Sequence, residues 1–207
     1  MIVANDVLLA ASNWQALYAH NINSGKLLWK KKDSGFRFRS SSATWENDTL
    51  YVASKDGIGL LDVLTGNMYS YFKTDYSLLT STKPFLLNNL IIMGTKNNGL
   101  VAWNKLSGKE EWKTITGDAL VYTSPYSNYE SHTVETPPIL VNGTIVFGAS
   151  DGYLYMVDPL DGKMIQKINV GAPILAAVTP VNDGFLVTDF AGNVYKFRNG
   201  KNKVPQK

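Results

Sequence analysis

The chain carries two histidines, His20 and His132, and no cysteine, which narrows the acid–base and nucleophile chemistry open to it. His132 sits in Tyr129-Glu130-Ser131-His132-Thr133-Val134-Glu135, where Glu130 or Glu135 could pair with an imidazole acting as acid or base. No nucleophile-elbow serine, phosphate-binding glycine loop or histidine-rich metal motif accompanies it, so the segment reads as a solvated loop. His20 ends a predicted strand where sister segments place Asp62, Trp103 or Val157, and so reads as structural. Asp56-Gly57 and Asp151-Gly152 offer carboxylates of the kind calcium uses, but calcium takes about six to eight converging oxygens and these stand singly in separate hairpins. Turn chemistry explains them. Asn47-Asp48-Thr49 and Asn142-Gly143-Thr144 fit the glycosylation sequon, yet both coincide with a recurring tight turn. No catalytic residue, metal or cofactor is expected.

The elements that would position these groups are short strands. Of 207 residues, 17 are glycine, 12% aromatic and only 18% charged, a balance that suits strands joined by tight turns rather than amphipathic helices. A chain of this size buries enough surface to fold without disulfide or metal. The +3 net charge arises from 20 basic and 17 acidic residues spread along the chain, too little and too dispersed for a nucleic-acid groove. No apolar run approaches the roughly 20 residues that span a bilayer. The start, Met1-Ile2-Val3-Ala4-Asn5-Asp6, has neither a basic n-region nor a long apolar core, so a soluble chain is expected, its export signal removed or never present.

A repeat organises the whole sequence. Gly25, Gly66, Gly108, Gly162 and Gly200 stand 41, 42, 54 and 38 residues apart, and the first four follow an Asx residue by four positions: Asn21, Asp62, Asn104 and Asp158. An Asx oxygen accepts turn N–H groups and glycine supplies a positive φ, so one turn recurs. A second recurs in phase at Asn5-Asp6, Asn47-Asp48, Asn88-Asn89, Asn142-Gly143 and Asn182-Asp183, dipeptides that signal tight hairpins. Between the two landmarks lie two more strands. In the fourth unit strand A is Pro138 to Val141, B Thr144 to Gly148, C Tyr153 to Asp158 and D Lys163 to Ile168. Four antiparallel strands per ~40 residues is the period of β-propeller blades. The expected blades span about 1–30, 40–73, 82–113, 136–168 and 176–204, forming one domain; a β-sandwich is the competing architecture.

The run Ala149-Ser150-Asp151-Gly152-Tyr153-Leu154-Tyr155-Met156-Val157-Asp158-Pro159-Leu160-Asp161-Gly162-Lys163 resembles the pyrroloquinoline-quinone-like (PQQ-like) repeat. So do Leu17-Tyr18-Ala19 with Ser24-Gly25-Lys26-Leu27-Leu28-Trp29, and Leu100-Val101-Ala102-Trp103-Asn104 with Ser107-Gly108-Lys109-Glu110-Glu111-Trp112. The resemblance implies that Trp29 and Trp112 dock onto the neighbouring blade. The second unit departs with Tyr69 and Tyr71, and the fourth with Gln166, leaving docking there unassigned. The family embraces quinone-dependent alcohol dehydrogenases, a propeller lipoprotein of bacterial outer-membrane protein assembly, and propeller domains attached to other enzymes such as metallophosphoesterases; it implies a periplasmic or extracellular setting. Its dehydrogenases stack their cofactor on a tryptophan, often beneath adjacent cysteines. Here cysteine is absent, and Trp14, Trp45 and Trp103 lie in or beside predicted strands, where packing is their expected role.

Strand direction alternates within a blade, so the A-to-B and C-to-D turns share one end and the B-to-C and D-to-A connections share the other. The second end is where the units diverge, most of all at Lys113 to Thr136, and function is expected where repetition breaks. That end gathers Arg37, Arg39, Tyr76, Tyr122, Tyr126 and His132 as candidate binding residues, with Phe36, Phe38 and Asp75 beside them. A non-catalytic binding or scaffolding propeller is expected, engaging a protein, peptide or glycan through this face; the alternative is an accessory domain of a larger enzyme, quinoprotein-like or metallophosphoesterase-linked. The fifth blade is expected to end in a short strand D at Lys201 to Val204. The five blades either seal as a ring by side-chain packing, the favoured arrangement, or form an arc of a larger propeller that self-associates through its ends.

Overall fold

The computed structural model describes residues 2–12, 16–32, 43–54, 56–79, 82–121 and 131–198, and all its regular structure is β. Blade 1 is β1 (Ile2–Ala4), β2 (Val7–Ser12), β3 (Ala16–Asn21) and β4 (Leu27–Lys32). Blade 2 is β5 (Ala43–Glu46), β6 (Thr49–Ala53), β7 (Gly57–Asp62) and β8 (Met68–Lys73). Blade 3 is β9 (Phe85–Leu87), β10 (Leu90–Gly94), β11 (Leu100–Asn104) and β12 (Glu110–Thr114). Blade 4 is β13 (Ile139–Val141), β14 (Thr144–Gly148), β15 (Tyr153–Val157) and β16 (Met164–Asn169). Blade 5 is β17 (Thr179–Val181), β18 (Gly184–Thr188) and β19 (Val194–Arg198). Every sheet is an antiparallel meander in chain order.

The central strands are apolar on both faces because each is covered by a blade on each side. In β6 and β10 four of five residues are buried, whereas β8 alternates half-buried and exposed. One core cluster joins blades 1 and 2 through Leu9, Leu17, Leu50 and Leu61; the next joins blades 2 and 3 through Ile58, Leu60, Ile91 and Trp103. Blades 3 and 4 meet through Leu100, Trp112, Phe147 and Tyr155, and blades 4 and 5 through Val146, Leu154, Ile174 and Phe185. Each fully buried aliphatic side chain contributes about 1.5–3 kcal/mol, so the interfaces between blades carry the fold. Trp103 is buried in such an interface and Trp45 packs against another, both in the packing role expected of them.

The repeated C-to-D turn forms as its residues dictate. Asn21, Asp62, Asn104 and Asp158 accept a turn N–H on Oδ1 at 2.7–3.0 Å, from Ser24, Thr65, Ser107 and Leu160. Gly25, Gly66, Gly108 and Gly162 follow at φ of +67° to +69°. The next blade's turn glycine also receives the preceding blade's docking ring. A Cβ on Gly66 would lie 2.6 Å from the Trp29 ring, and one on Gly162 would lie 2.5 Å from Trp112. Trp29 Nε1 donates to the Val63 carbonyl at 2.8 Å, and Trp112 Nε1 to that of Pro159 at 3.1 Å. Blade 2 docks as well: Phe72 covers Gly108 at 2.5 Å, a partner that Tyr69 and Tyr71 had obscured in the sequence.

Two expectations are corrected. Blade 5 has three strands among the described residues, since Lys201 to Val204 lies outside them. The sealed five-blade ring does not form either: among the described residues no core cluster joins blade 5 to blade 1, and Val3 and Val194 on their outward faces are 49% and 67% exposed. The reason lies in the register of blade 5. Thr179, Thr188 and Lys196 hold the positions that blade 4 gives to Ile139, Gly148 and Met156, all on the face that meets a following blade. Gly94 and Gly148 are small because the next connection crosses there: a Cβ would stand 1.9 Å from the Val134 carbonyl oxygen and 2.2 Å from Ile174 Cγ2. Thr188 fills that space with its own side chain.

Candidate functional site

The end formed by the B-to-C and D-to-A connections is built on one repeated device. After blade 2 the chain runs from Thr74, whose N–H donates to Asp56 O, to Ser77, whose carbonyl accepts the Lys96 N–H of blade 3. After blade 4 it repeats the path from Val170, donating to Gly152 O, to Pro173, which accepts from Phe190 N–H. Each connection therefore lies on the B-to-C turns of the two blades it joins. Between blades 3 and 4 the same path carries an insertion. Gly117 N–H donates to Asp151 Oδ2 at 2.7 Å, Ala119 N–H to Ser131 O at 2.9 Å and Leu120 N–H to Ser150 O at 2.9 Å. The returning strand is pinned by Gly99 N–H to His132 O at 2.7 Å and Ser150 N–H to Thr133 O at 3.0 Å. The insertion is a strap tied by backbone bonds across the B-to-C turns of blades 3 and 4.

Its anchor is Asp151, a buried carboxylate that also accepts from Tyr155 Oη at 2.5 Å. Burial, reinforced by the Asp151 hydrogen bond, pushes the Tyr155 phenol well above its ordinary value, so it stays a donor. Blade 5 repeats the pair: Tyr195 Oη reaches Asp189 Oδ2 at 3.0 Å and the Val170 carbonyl at 3.1 Å. In blade 2 Asp56 takes the Tyr71 hydroxyl at 2.8 Å, and that bond holds its carboxyl below the usual range. The aspartates singled out in the hairpins are thus clasps for tyrosine and backbone. Among the described residues no group of three or more His, Asp or Glu is placed to hold a metal ion.

The structure distributes the predicted site residues unevenly. His132 lies on the strap, half-buried, its Nδ1 3.8 Å from Asp118 Oδ1. Tyr76 starts from the same end but is an interblade packing group: its ring meets Trp103 at 6.2 Å, and its hydroxyl donates to Glu110 Oε2 at 2.5 Å while accepting from Lys113 Nζ at 3.1 Å. The Glu110 bond raises the Tyr76 phenol above its ordinary value. Arg37, Arg39, Tyr122 and Tyr126, with Trp14, Phe36, Phe38, Tyr129 and Glu130, lie outside the described residues. Trp29 and Trp112 belong to the opposite end, over turn glycines. Burial pushes the Glu135 carboxyl up, on the inner part of the connection. His20 accepts or donates at the Gly25 carbonyl, 3.0 Å away, within its own blade. Sequence reasoning missed Asp118 and Leu120, which the strap exposes; their only signal was membership of the longest connection.

Comparison with known proteins agrees with this architecture. The family model described as outer membrane protein assembly factor BamB matches residues 13–196. The BamB of Moranella endobia is 23% identical over 173 residues, covering 79% of this chain and 40% of that protein. The chain thus spans about two fifths of the length of the curated relatives it matches. Among solved structures, BamB from Moraxella catarrhalis superposes with a TM-score of 0.55 at 13% identity, covering 94% of this chain and 71% of that one. The quinohemoprotein alcohol dehydrogenase of Comamonas testosteroni superposes at 0.65 and 14% identity, covering 96% and 42%. At those identities the structural likeness establishes the fold alone. The family model, reaching from the second strand of blade 1 into the last strand of blade 5, establishes more: this chain belongs to the PQQ-like repeat propellers described as outer membrane protein assembly factor BamB.

Proposed function

We propose that this chain is a non-catalytic scaffold that binds a protein partner in outer-membrane protein assembly, through the end carrying the B-to-C and D-to-A connections. The observation that carries the reading is the strap between blades 3 and 4. It is longer than its sister connections by an insertion that no blade needs, it is held rigid by backbone bonds to two blades, and it turns Asp118 and Leu120 to solvent, Leu120 58% exposed. A preorganised loop with an exposed apolar side chain beside an acid suits partner capture, because little ordering entropy is lost on binding. The relatives' role in outer-membrane protein assembly supplies the class of partner. The catalytic alternative has only the dehydrogenases' fold behind it, and fold alone assigns no chemistry.

The test is co-purification of the chain with the assembly machinery of its own outer membrane. Alanine at Tyr122 and Tyr126, with Leu120→Ser on the strap, should lower recovery of a machinery component while leaving the melting temperature unchanged. Undiminished recovery would remove this face from the reading. Saturable uptake of pyrroloquinoline quinone with calcium, seen by difference absorbance, would overturn the scaffold reading in favour of a quinoprotein module.

A further inference from the structure

The opposite end, regular in backbone, carries a feature that folding does not explain. Leu64, Leu106 and Leu160 hold one and the same position, two residues after the Asx of the C-to-D turn in blades 2, 3 and 4. The turns superimpose in their hydrogen bonds: each turn glycine N–H donates to its Asx carbonyl at 2.9 Å, and each glycine has φ near +68°. The three leucines therefore project alike from successive blades. They are 56%, 83% and 84% exposed, and Leu106 and Leu160 are the two most exposed large apolar side chains among the described residues. None belongs to a core cluster. Single exposed leucines are ordinary, but the same residue at three equivalent rigid tips is a patterned surface. The turn itself asks nothing of this position, since the equivalent residue in blade 1 is Asn23.

We infer that this row is a second interaction surface, and that its partner is an amphipathic helix with basic flanks, lying across the turn tips of blades 2 to 4. Three apolar knobs in a row meet a linear apolar stripe, whose side-chain ridges leave grooves for them. The flanks follow from charge. Asp48, Asp62 and Asp158 stand on these turns and form no ion pair among the described residues, whereas Lys105 is neutralised by Glu46 at 2.6 Å and Lys163 by Asp161 at 2.5 Å. Lys109 is left as the exposed cation of the C-to-D turns of these blades. An acidic rim around apolar knobs repels anionic lipid headgroups and attracts lysine or arginine beside the helix stripe. This surface is independent of the connection end and uses none of its residues.

The probe is a fluorescein-labelled helical peptide with leucine on one stripe and lysine on its flanks, titrated against the whole chain by anisotropy. The chain should bind it saturably, and a Leu64→Ser/Leu106→Ser/Leu160→Ser variant should bind at least about tenfold more weakly with an unchanged melting temperature, as expected of solvent-exposed turn positions. Asp62→Asn and Asp158→Asn, which keep an Asx oxygen in the turn, should weaken binding and flatten its salt dependence. Leu120→Ser on the strap should leave it intact. No saturable binding, or equal binding by the triple variant, would overturn the inference. Leucine-dependent flotation with phosphatidylcholine vesicles would replace the helix with a lipid surface. Leucine-dependent dimerisation in a concentration series would replace it with a second copy.

Discussion

The two ends of the molecule solve the same problem, joining adjacent strands, by opposite means. At the turn end the backbone is fixed four times over by an Asx oxygen, a left-handed glycine and an aromatic ring from the preceding blade, so local sequence determines geometry. At the connection end the backbone is fixed by hydrogen bonds to the B-to-C turns of two blades, which any residue can make. The first end therefore tolerates change only at the turn tip. The second tolerates change in both composition and length, as the strap demonstrates. Function can sit at either end, but for different reasons: at the tips because the turn leaves one side chain unused, and on the connections because the backbone alone holds them.

The largest effect expected from this contrast is at the docking rings. Trp112→Ala should cost about 3–5 kcal/mol in urea unfolding, the range for a buried large aromatic, while Trp29→Ala should cost less because its ring is only half covered. Equal losses would mean the two docks are equivalent and blade 1 is better packed than its outward face suggests. Next comes the crossing glycine. Gly148→Ala places a methyl against Ile174 and should cost about 1–3 kcal/mol as overpacking, whereas Thr188→Ala at the same position of blade 5 should be nearly neutral. A comparable loss at Thr188 would show that another segment packs on that face.

Smaller again is the clasp of the strap. Tyr155→Phe removes a hydroxyl from buried Asp151 and should cost about 1–3 kcal/mol. It has a pH signature as well. The phenol of the folded protein titrates above its ordinary value of 10.0, so its contribution is complete below pH 10 and is lost as pH rises further; the Phe variant should show a shallower alkaline decline in stability. An unchanged decline would assign it to other tyrosines. Smallest of all, Asp118→Ala and Leu120→Ser should alter melting by no more than about 0.5 kcal/mol, and a larger loss would make the strap part of the core.

The fold was legible because its constraints are local. Five glycines and four Asx residues at repeating intervals mark turns that only such residues satisfy, and the tryptophans four residues beyond two of those glycines carry the docking pattern. Phe72 was less legible because it stands six residues after Gly66 rather than four, on the same side of its strand. Tyr76 was misread as a free binding residue because nothing local announces Trp103, Glu110 and Lys113 as its neighbours; they come from the next blade. The open faces of blades 1 and 5 were equally hidden. Whether Thr188 and Lys196 end a stack depends on what blade 4 places at the matching positions, a question of register that sequence spacing alone does not pose.

The register shift between strands C and D recurs at Ala19/His20, Leu60/Leu61, Ala102/Trp103 and Met156/Val157, always beside the Asx-Gly turn. Its consequence concerns which mutations such a repeat can accept over time. Losing or gaining one residue between the glycine and the docking ring would swing that ring to the wrong side of the sheet, away from the next blade. Losing or gaining two would keep it pointed forward, which is the spacing blade 2 has adopted with Phe72. Viable length changes in this segment are therefore even-numbered, while the strap between blades 3 and 4 is free to change by any number.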